Sequence, residues 1–263
     1  MNIKNSLTFV VKKNMSYFTD NMNLIIVEQE TCKDLGILMS SNGKFTDHIN
    51  EVTKKVRKKV SWICRTFMSR DIDVMRKLYV SQVRPLIDYC AQVWAPCEGP
   101  DLDKVEKLLY NYTKLCPSIR HLSYTERLKA MSLMSVQRRF DRYRVIYVRK
   151  CLLGLVPSCG VKIVHNANHR NGLMVGSVDK RKISNLRANS FVSRGPEIYN
   201  SLPKDLRTLE GSMDTFKEKL DSFLELIDDV TRLEESKSFT NNNLDIRISE
   251  WMWSLNLGLI NYS

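Results

Sequence analysis

The chain has 263 residues, of which 43% are hydrophobic and 27% charged, a balance that supports a buried core in one or two domains and excludes disorder throughout. It contains no run of eighteen apolar residues and does not open on the basic, apolar and small-residue pattern of a signal peptide, so a soluble, intracellular protein with no membrane partner is expected. The net charge of +12 is unevenly placed: 12 basic against 5 acidic residues over 101–160 and 9 against 3 over 161–207, reversing to 5 against 11 over 208–263. A basic body with an acidic end points to a polyanionic partner rather than a basic one.

Over residues 1–44 the apolar stretches are short. Val27 and the run 35–39 lie between Gly, Asn and Ser, which predicts short strands around a turn and an exit into helix. From 45 to 68, Phe45, Ile49, Val52, Val56, Val60, Ile63 and Phe67 recur every three or four positions, the spacing of one buried helical face. Lys54, Lys55, Arg57, Lys58, Lys59 and Arg65 occupy the remainder of that helix. A second helix is predicted from an Asp71 cap through Met75, Leu78, Tyr79, Leu86, Tyr89 and Trp94. Pro85 lies in its interior, and the missing N–H should kink or split it near Val83.

Cys97 to Pro100 read as a turn, after which Asp101 is expected to cap a third helix running to Leu115, where Pro117 stops it. A short helix follows around 124–131. Ser135 then opens a longer one in which Val136, Phe140, Tyr143, Tyr147 and Leu152 keep helical spacing, while Arg138, Arg139, Arg142, Arg144, Arg149 and Lys150 carry charge. Residues 158–190 are rich in Gly, Asn and Ser, with a basic cluster at 180–182, and read as a basic loop or hinge. Over 191–228 a turn at Asn200 to Pro203 precedes a helix that Ser212 is placed to cap, with Phe216, Leu220, Phe223, Leu224 and Ile227 inward. Residues 229–263 form an acidic and then apolar tail. No repeat of 20–50 residues is visible. The expected fold is mainly α: a small N-terminal β piece, a helical bundle over 45–157, and a flexible C-terminal tail.

Motifs for site chemistry are sparse. The seven cysteines stand singly with no Cys-x-x-Cys pair, as reduced and mostly buried thiols would. Cys151, Cys159, His165 and His169 stand in metal-ligand order, yet the first gap of seven residues is far longer than a zinc knuckle uses, so no metal is assigned. The glycines are isolated and make no phosphate loop, and no cysteine has a local nucleophile signature. Asp228-Asp229 is expected to end a helix, not to fill a turn between strands. No residue is assigned catalysis.

Lys33-Asp34-Leu35-Gly36-Ile37, Phe45 and His48-Ile49 begin an ordered series of short motifs. It continues through Leu78-Tyr79, Val83-Arg84-Pro85, Tyr89, Val93-Trp94, Val105-Glu106-Lys107, Tyr124, Arg127-Leu128, Leu133 and Arg138-Arg139. Phe191, Arg194, Asn200-Ser201-Leu202-Pro203, Phe216-Lys217 and Leu220 complete it. Each motif is weak alone, but together, across about two hundred residues, they are specific. In this order the chain resembles the region just after the palm in reverse transcriptases of non-LTR, LINE-type retrotransposons of the jockey-like kind; Tyr199 departs from the Trp usual there.

The resemblance implies a remnant of the palm end over 1–44 and a thumb-like bundle over 45–157. The family's metal-binding palm carboxylates, including an aromatic-x-Asp-Asp hairpin that holds two Mg ions, should lie upstream of Met1. The fragment itself is then expected to need no cofactor and to catalyse nothing, unless the true product extends upstream. It is expected to bind the RNA or DNA backbone, including RNA–DNA hybrid, without sequence preference. The residues expected to touch phosphate are Lys54, Lys55, Arg57, Lys58, Lys59 and Arg65 on the first helix, and Arg138, Arg139 and Arg142 on the later one. The ordinary alternative is a set of solvated faces on a degenerate retroelement relic that acts as an inert or protein-interacting bundle. Trp62, Tyr143 and Tyr147 interleave the charges, and their helical spacing assigns them to core packing rather than to base stacking. A nuclear location is left open.

Overall fold

The computed structural model describes residues 17–19, 22–24, 30–96, 99–157, 162–164, 174–176, 190–227 and 229. Helices dominate. The strands form three separate antiparallel pairs: β1 (Tyr17–Thr19) with β2 (Met22–Leu24), β3 (Thr31–Asp34) with β4 (Ile37–Ser40), and β5 (Lys162–Val164) with β6 (Met174–Gly176). The last pair lies in the stretch read as a loop or hinge. Strands of three residues are too short to leave a period-2 signal, which is why pattern reading passes over them. Val27, the basic cluster 180–182 and the tail 230–263 lie outside the described residues.

Leu35 and Gly36 connect β3 to β4 with φ of 44° and 85°. Two consecutive left-handed residues make the kind of two-residue turn whose twist matches the strands. Leu35 therefore belongs to the turn and not to a strand, and its side chain is exposed.

α1 (Thr46–Thr66) forms where the periodicity placed it, with Ile49, Val52, Val56 and Ile63 buried. Each such fully buried branched side chain contributes about 1.5–3 kcal/mol before conformational entropy is subtracted. The opposite face is basic. Arg70 folds back to donate to the carbonyls of Cys64 and Phe67, closing the C-terminal end of α1.

Asp71 caps α2 (Ile72–Leu78) by accepting from the Asp73 N–H at 3.0 Å. The chain then widens into a π-helical turn, Tyr79–Val83, before α3 (Arg84–Asp88). Pro85 has no N–H to give and its ring opposes a carbonyl one turn back, while the Ser81 hydroxyl bonds back to the Lys77 carbonyl at 2.8 Å. Both effects open the helix at the expected place. A second break was not expected: Cys90 turns left-handed (φ 50°) and starts α4 (Ala91–Trp94). The Trp94 indole N–H donates to the Tyr89 carbonyl across that break at 2.7 Å.

α5 (Pro100–Thr113) is capped by Gly99 (φ 85°) with Pro100 at the first helical position, so Asp101 is a first-turn residue and not the cap. It accepts instead from the Thr46 hydroxyl at 2.7 Å and from Lys104 at 2.8 Å, fastening α5 to the start of α1. A 3₁₀ turn (Pro117–Ile119) leads to α6 (Tyr124–Ala130), which carries a Ser123/Glu126 capping box. α7 (Val136–Leu152) is capped by Ser135. α8 (Phe191–Asn200), α9 (Lys204–Arg207) and α10 (Met213–Leu226), the last capped by Ser212, complete the described fold.

Two apolar clusters meet on α7. The larger joins β4 and α1 through α6 to Val136 and Phe140; the smaller gathers Val145, Ile146 and Val148 with Tyr199, Leu202, Phe216 and Leu220. Trp94 sits edge-on to His48 of α1 (5.2 Å between centroids) and to Phe140 of α7 (5.6 Å), joining three helices. Gly195 lets α8 approach α7 closely, since a Cβ there would stand 3.0 Å from Val148 Cγ2.

Candidate nucleic-acid interface

The nine basic residues expected to touch phosphate divide into two groups with different surroundings. On α1, Lys54, Lys55, Arg57, Lys58 and Arg65 are exposed and Lys59 is half-buried. Lys54, Lys58, Ser61 and Arg65 follow one another at spacings of four, three and four, forming a ridge opposite the buried Val52, Val56 and Ile63. At 1.5 Å rise per residue this ridge runs about 16 Å along the helix. Of the six α1 cations, Lys55 is the one with an ion-pair partner among the described residues, Glu51 Oε1 at 2.9 Å, which Lys33 also approaches at 3.5 Å.

Crowding cations this way is unfavourable in the isolated helix. Lys54–Lys58 and Lys55–Lys59 are like-charge pairs one turn apart, each destabilising by about 0.2–0.5 kcal/mol. A phosphate backbone would relieve that repulsion by neutralising the ridge and releasing its own counterions. No acidic residue falls between Glu51 and Asp71 in the sequence.

The α7 arginines, also expected to face a phosphate backbone, stand in different surroundings. Arg139 is buried, with its Nε 3.9 Å from Asp88 Oδ1. Arg138 donates to the carbonyls of Leu224 and Ile227 at 2.7 and 2.8 Å and lies 3.3 Å from Asp229. Arg142 makes a two-pronged contact with Asp221, its Nη2 at 2.7 Å from Oδ2. Arg144 holds Asp141 and the Ala95 carbonyl, and Arg149 holds the carbonyls of Arg207 and Leu209. The guanidinium groups of Arg138, Arg142, Arg144 and Arg149 thus bond carbonyls or carboxylates of neighbouring elements, a task for which a planar five-donor group is suited, while Arg139 is buried beside Asp88.

The start of α7 is held by two carboxylates. Glu106 of α5 is buried and accepts the Val136 and Gln137 N–H groups at 3.2 and 3.1 Å and the Tyr124 hydroxyl at 2.6 Å. Asp229 accepts from both the N–H and the hydroxyl of Ser135 at 2.7 Å, and the Ser135 hydroxyl oxygen in turn accepts from the Arg138 N–H. The orphan donors of a helix N-terminus are thereby matched to two carboxyl groups. Asp229 is thus a structural anchor; Asp228 lies outside the described residues. Burial pushes the Glu106 carboxyl up to about 7 against the pull of its three donors, and the neighbouring Asp229 adds to the rise.

The aromatic side chains also separate. Tyr143 donates its hydroxyl to Asp88 at 2.6 Å, and Tyr147 packs edge-on to Phe191. Trp62 does not join the core. It is 41% exposed on the basic side of α1, perpendicular to the Phe67 ring and with the Lys59 ammonium 4.9 Å from its centroid. Periodicity could have located it: Trp62 lies four residues after Lys58 and three before Arg65, off the apolar spacing of Val56, Val60 and Ile63. Among the described residues no group of three His, Cys, Asp or Glu side chains is placed to hold a metal. Of the weighed zinc set, Cys151 faces the Pro157 carbonyl at 3.4 Å, and the other three residues lie outside the described residues. No described helix is long and apolar enough to cross a membrane.

Compared with models of known protein families, with curated proteins and with solved structures, the chain matches none.

Proposed function

We propose that this chain is a helical unit that binds the RNA or DNA backbone electrostatically, without sequence readout and without catalysis of its own. In this reading it is related to the thumb and following segment of non-LTR retrotransposon reverse transcriptases. The observation that carries it is the solvent face of α1, where six cations stand with one acidic neighbour. The contact surface is Lys54, Lys55, Arg57, Lys58, Lys59 and Arg65; Arg138, Arg139 and Arg142 are left out because their donors serve the fold.

The test is fluorescence anisotropy with a labelled primer–template hybrid over a series of salt concentrations. Binding should weaken linearly on a log–log plot, by about 0.9 per phosphate contacted. The triple change Lys54→Ala, Lys58→Ala, Arg65→Ala should flatten that slope by about 2 to 3, while Arg142→Gln, which also removes a cation but one that is paired with Asp221, leaves it unchanged in a folded protein. A folded wild-type chain that fails to bind at low salt would leave a relic bundle with a solvated basic face.

A further inference from the structure

We infer that Trp62 is a stacking platform for an unpaired base, so that the basic face of α1 takes single-stranded nucleic acid in preference to continuous duplex. This rests on the backbone-binding reading above and names the kind of strand it selects. Three features of the structure converge on the ring.

Its position is the first. Trp62 lies one turn from both Lys58 and Arg65, so a strand whose phosphates follow the ridge would carry a base to the indole. The second is its exposure. The indole is 41% exposed on a helix whose opposite face buries four branched side chains, so the ring lies outside the core of its own helix. The third is its fixed orientation. The ring packs perpendicular to Phe67, 5.9 Å between centroids at 86°, and the Lys59 ammonium lies over the ring, so little freedom is lost when a base arrives. Lys59 is then available to a phosphate, exchanging one electrostatic partner for another.

Bases in a continuous duplex are already stacked on one another, so the ring has nothing to engage there. An unpaired base offers an open π-face whatever its identity, which keeps the interaction independent of sequence.

The experiment compares a labelled oligothymidylate with a blunt duplex of equal length, each titrated against the wild-type chain, Trp62→Ala and Trp62→Phe over a series of salt concentrations, with affinities compared at the lowest. Trp62→Ala should weaken single-strand binding by about 5- to 100-fold and leave the duplex within about twofold. Trp62→Phe should recover most of the loss, and the salt slope for the single strand should be the same in all three proteins because no phosphate contact is removed. Circular dichroism melting of each variant identifies any loss that comes from unfolding; should Trp62→Ala fail to fold, the comparison rests on Trp62→Phe against Trp62→Leu. Equal losses on both probes, or none on the single strand, overturn the stacking role while the electrostatic reading stands. Absence of wild-type binding to either probe overturns both.

Discussion

Glu106 and His48 are buried titratable groups whose fold-induced shifts oppose each other in pH. Burial raises the Glu106 carboxyl to about 7 from 4.5, so the fold favours its protonated form. That contribution is complete below pH 4.5 and is lost as pH rises to about 7. Burial lowers His48, with Lys55 and Lys33 adding to the effect and Glu51 opposing it; its Nδ1 accepts the Leu38 N–H at 3.2 Å, which requires the neutral ring. That contribution is complete above pH 6.5 and is lost as pH falls below it. The two contributions run in opposite senses across the overlap, and single variants should separate them. Thermal melts from pH 4.5 to 7 should show stability rising with pH in Glu106→Gln and falling with pH in His48→Gln. A wild-type profile in Glu106→Gln would mean that this carboxyl does not titrate in that window.

At the scale of elements, the break between α2 and α3 and the start of α7 show what a sequence discloses and what it withholds. Asp71, Ser135 and Ser212 were legible as caps because a short polar side chain ahead of an apolar period has one common use. Pro85 was legible as a break because its lost donor is a local fact. The partners of the α7 arginines were not legible. Periodicity finds the apolar stripe of a helix but cannot say whether a second element covers the charged side, and the hydrogen-bond partners that do so lie 48 to 89 positions away. The same limit hid Glu106, whose role depends on α5 meeting α7. The basic ridge of α1 was readable because it depends on one helix alone. These assignments predict that Asp229→Ala, which strips Ser135 and Arg138 of a shared anion, lowers stability by about 1–3 kcal/mol in urea unfolding. Asp229→Asn should retain part of that loss-sensitive contact. Equal stability of Asp229→Ala and wild type would show that Ser135 alone suffices as the cap.

For the whole molecule, the division of the core into two clusters matters less than the helix they share. Phe140 faces one cluster and Val148 the other, eight residues apart on α7. A helix cannot be half-lost without exposing both sets of contacts, so the described fold should melt as one unit. Phe140→Ala, costing about 3–5 kcal/mol, should shift a single midpoint seen equally by far- and near-ultraviolet circular dichroism. Two resolved transitions would instead make the clusters independent.

The Ser135–Asp229 contact also sets a timetable. Its two halves are 94 residues apart, and at a synthesis rate of about 5–20 residues per second the second half is made about 5–20 s after the first. Tyr199, Leu202, Phe216 and Leu220 are made only in the later part of that interval, so until then Val145 and Val148 lack the side chains they pack against. The α1 ridge, by contrast, is complete before the first residue of α7 is made.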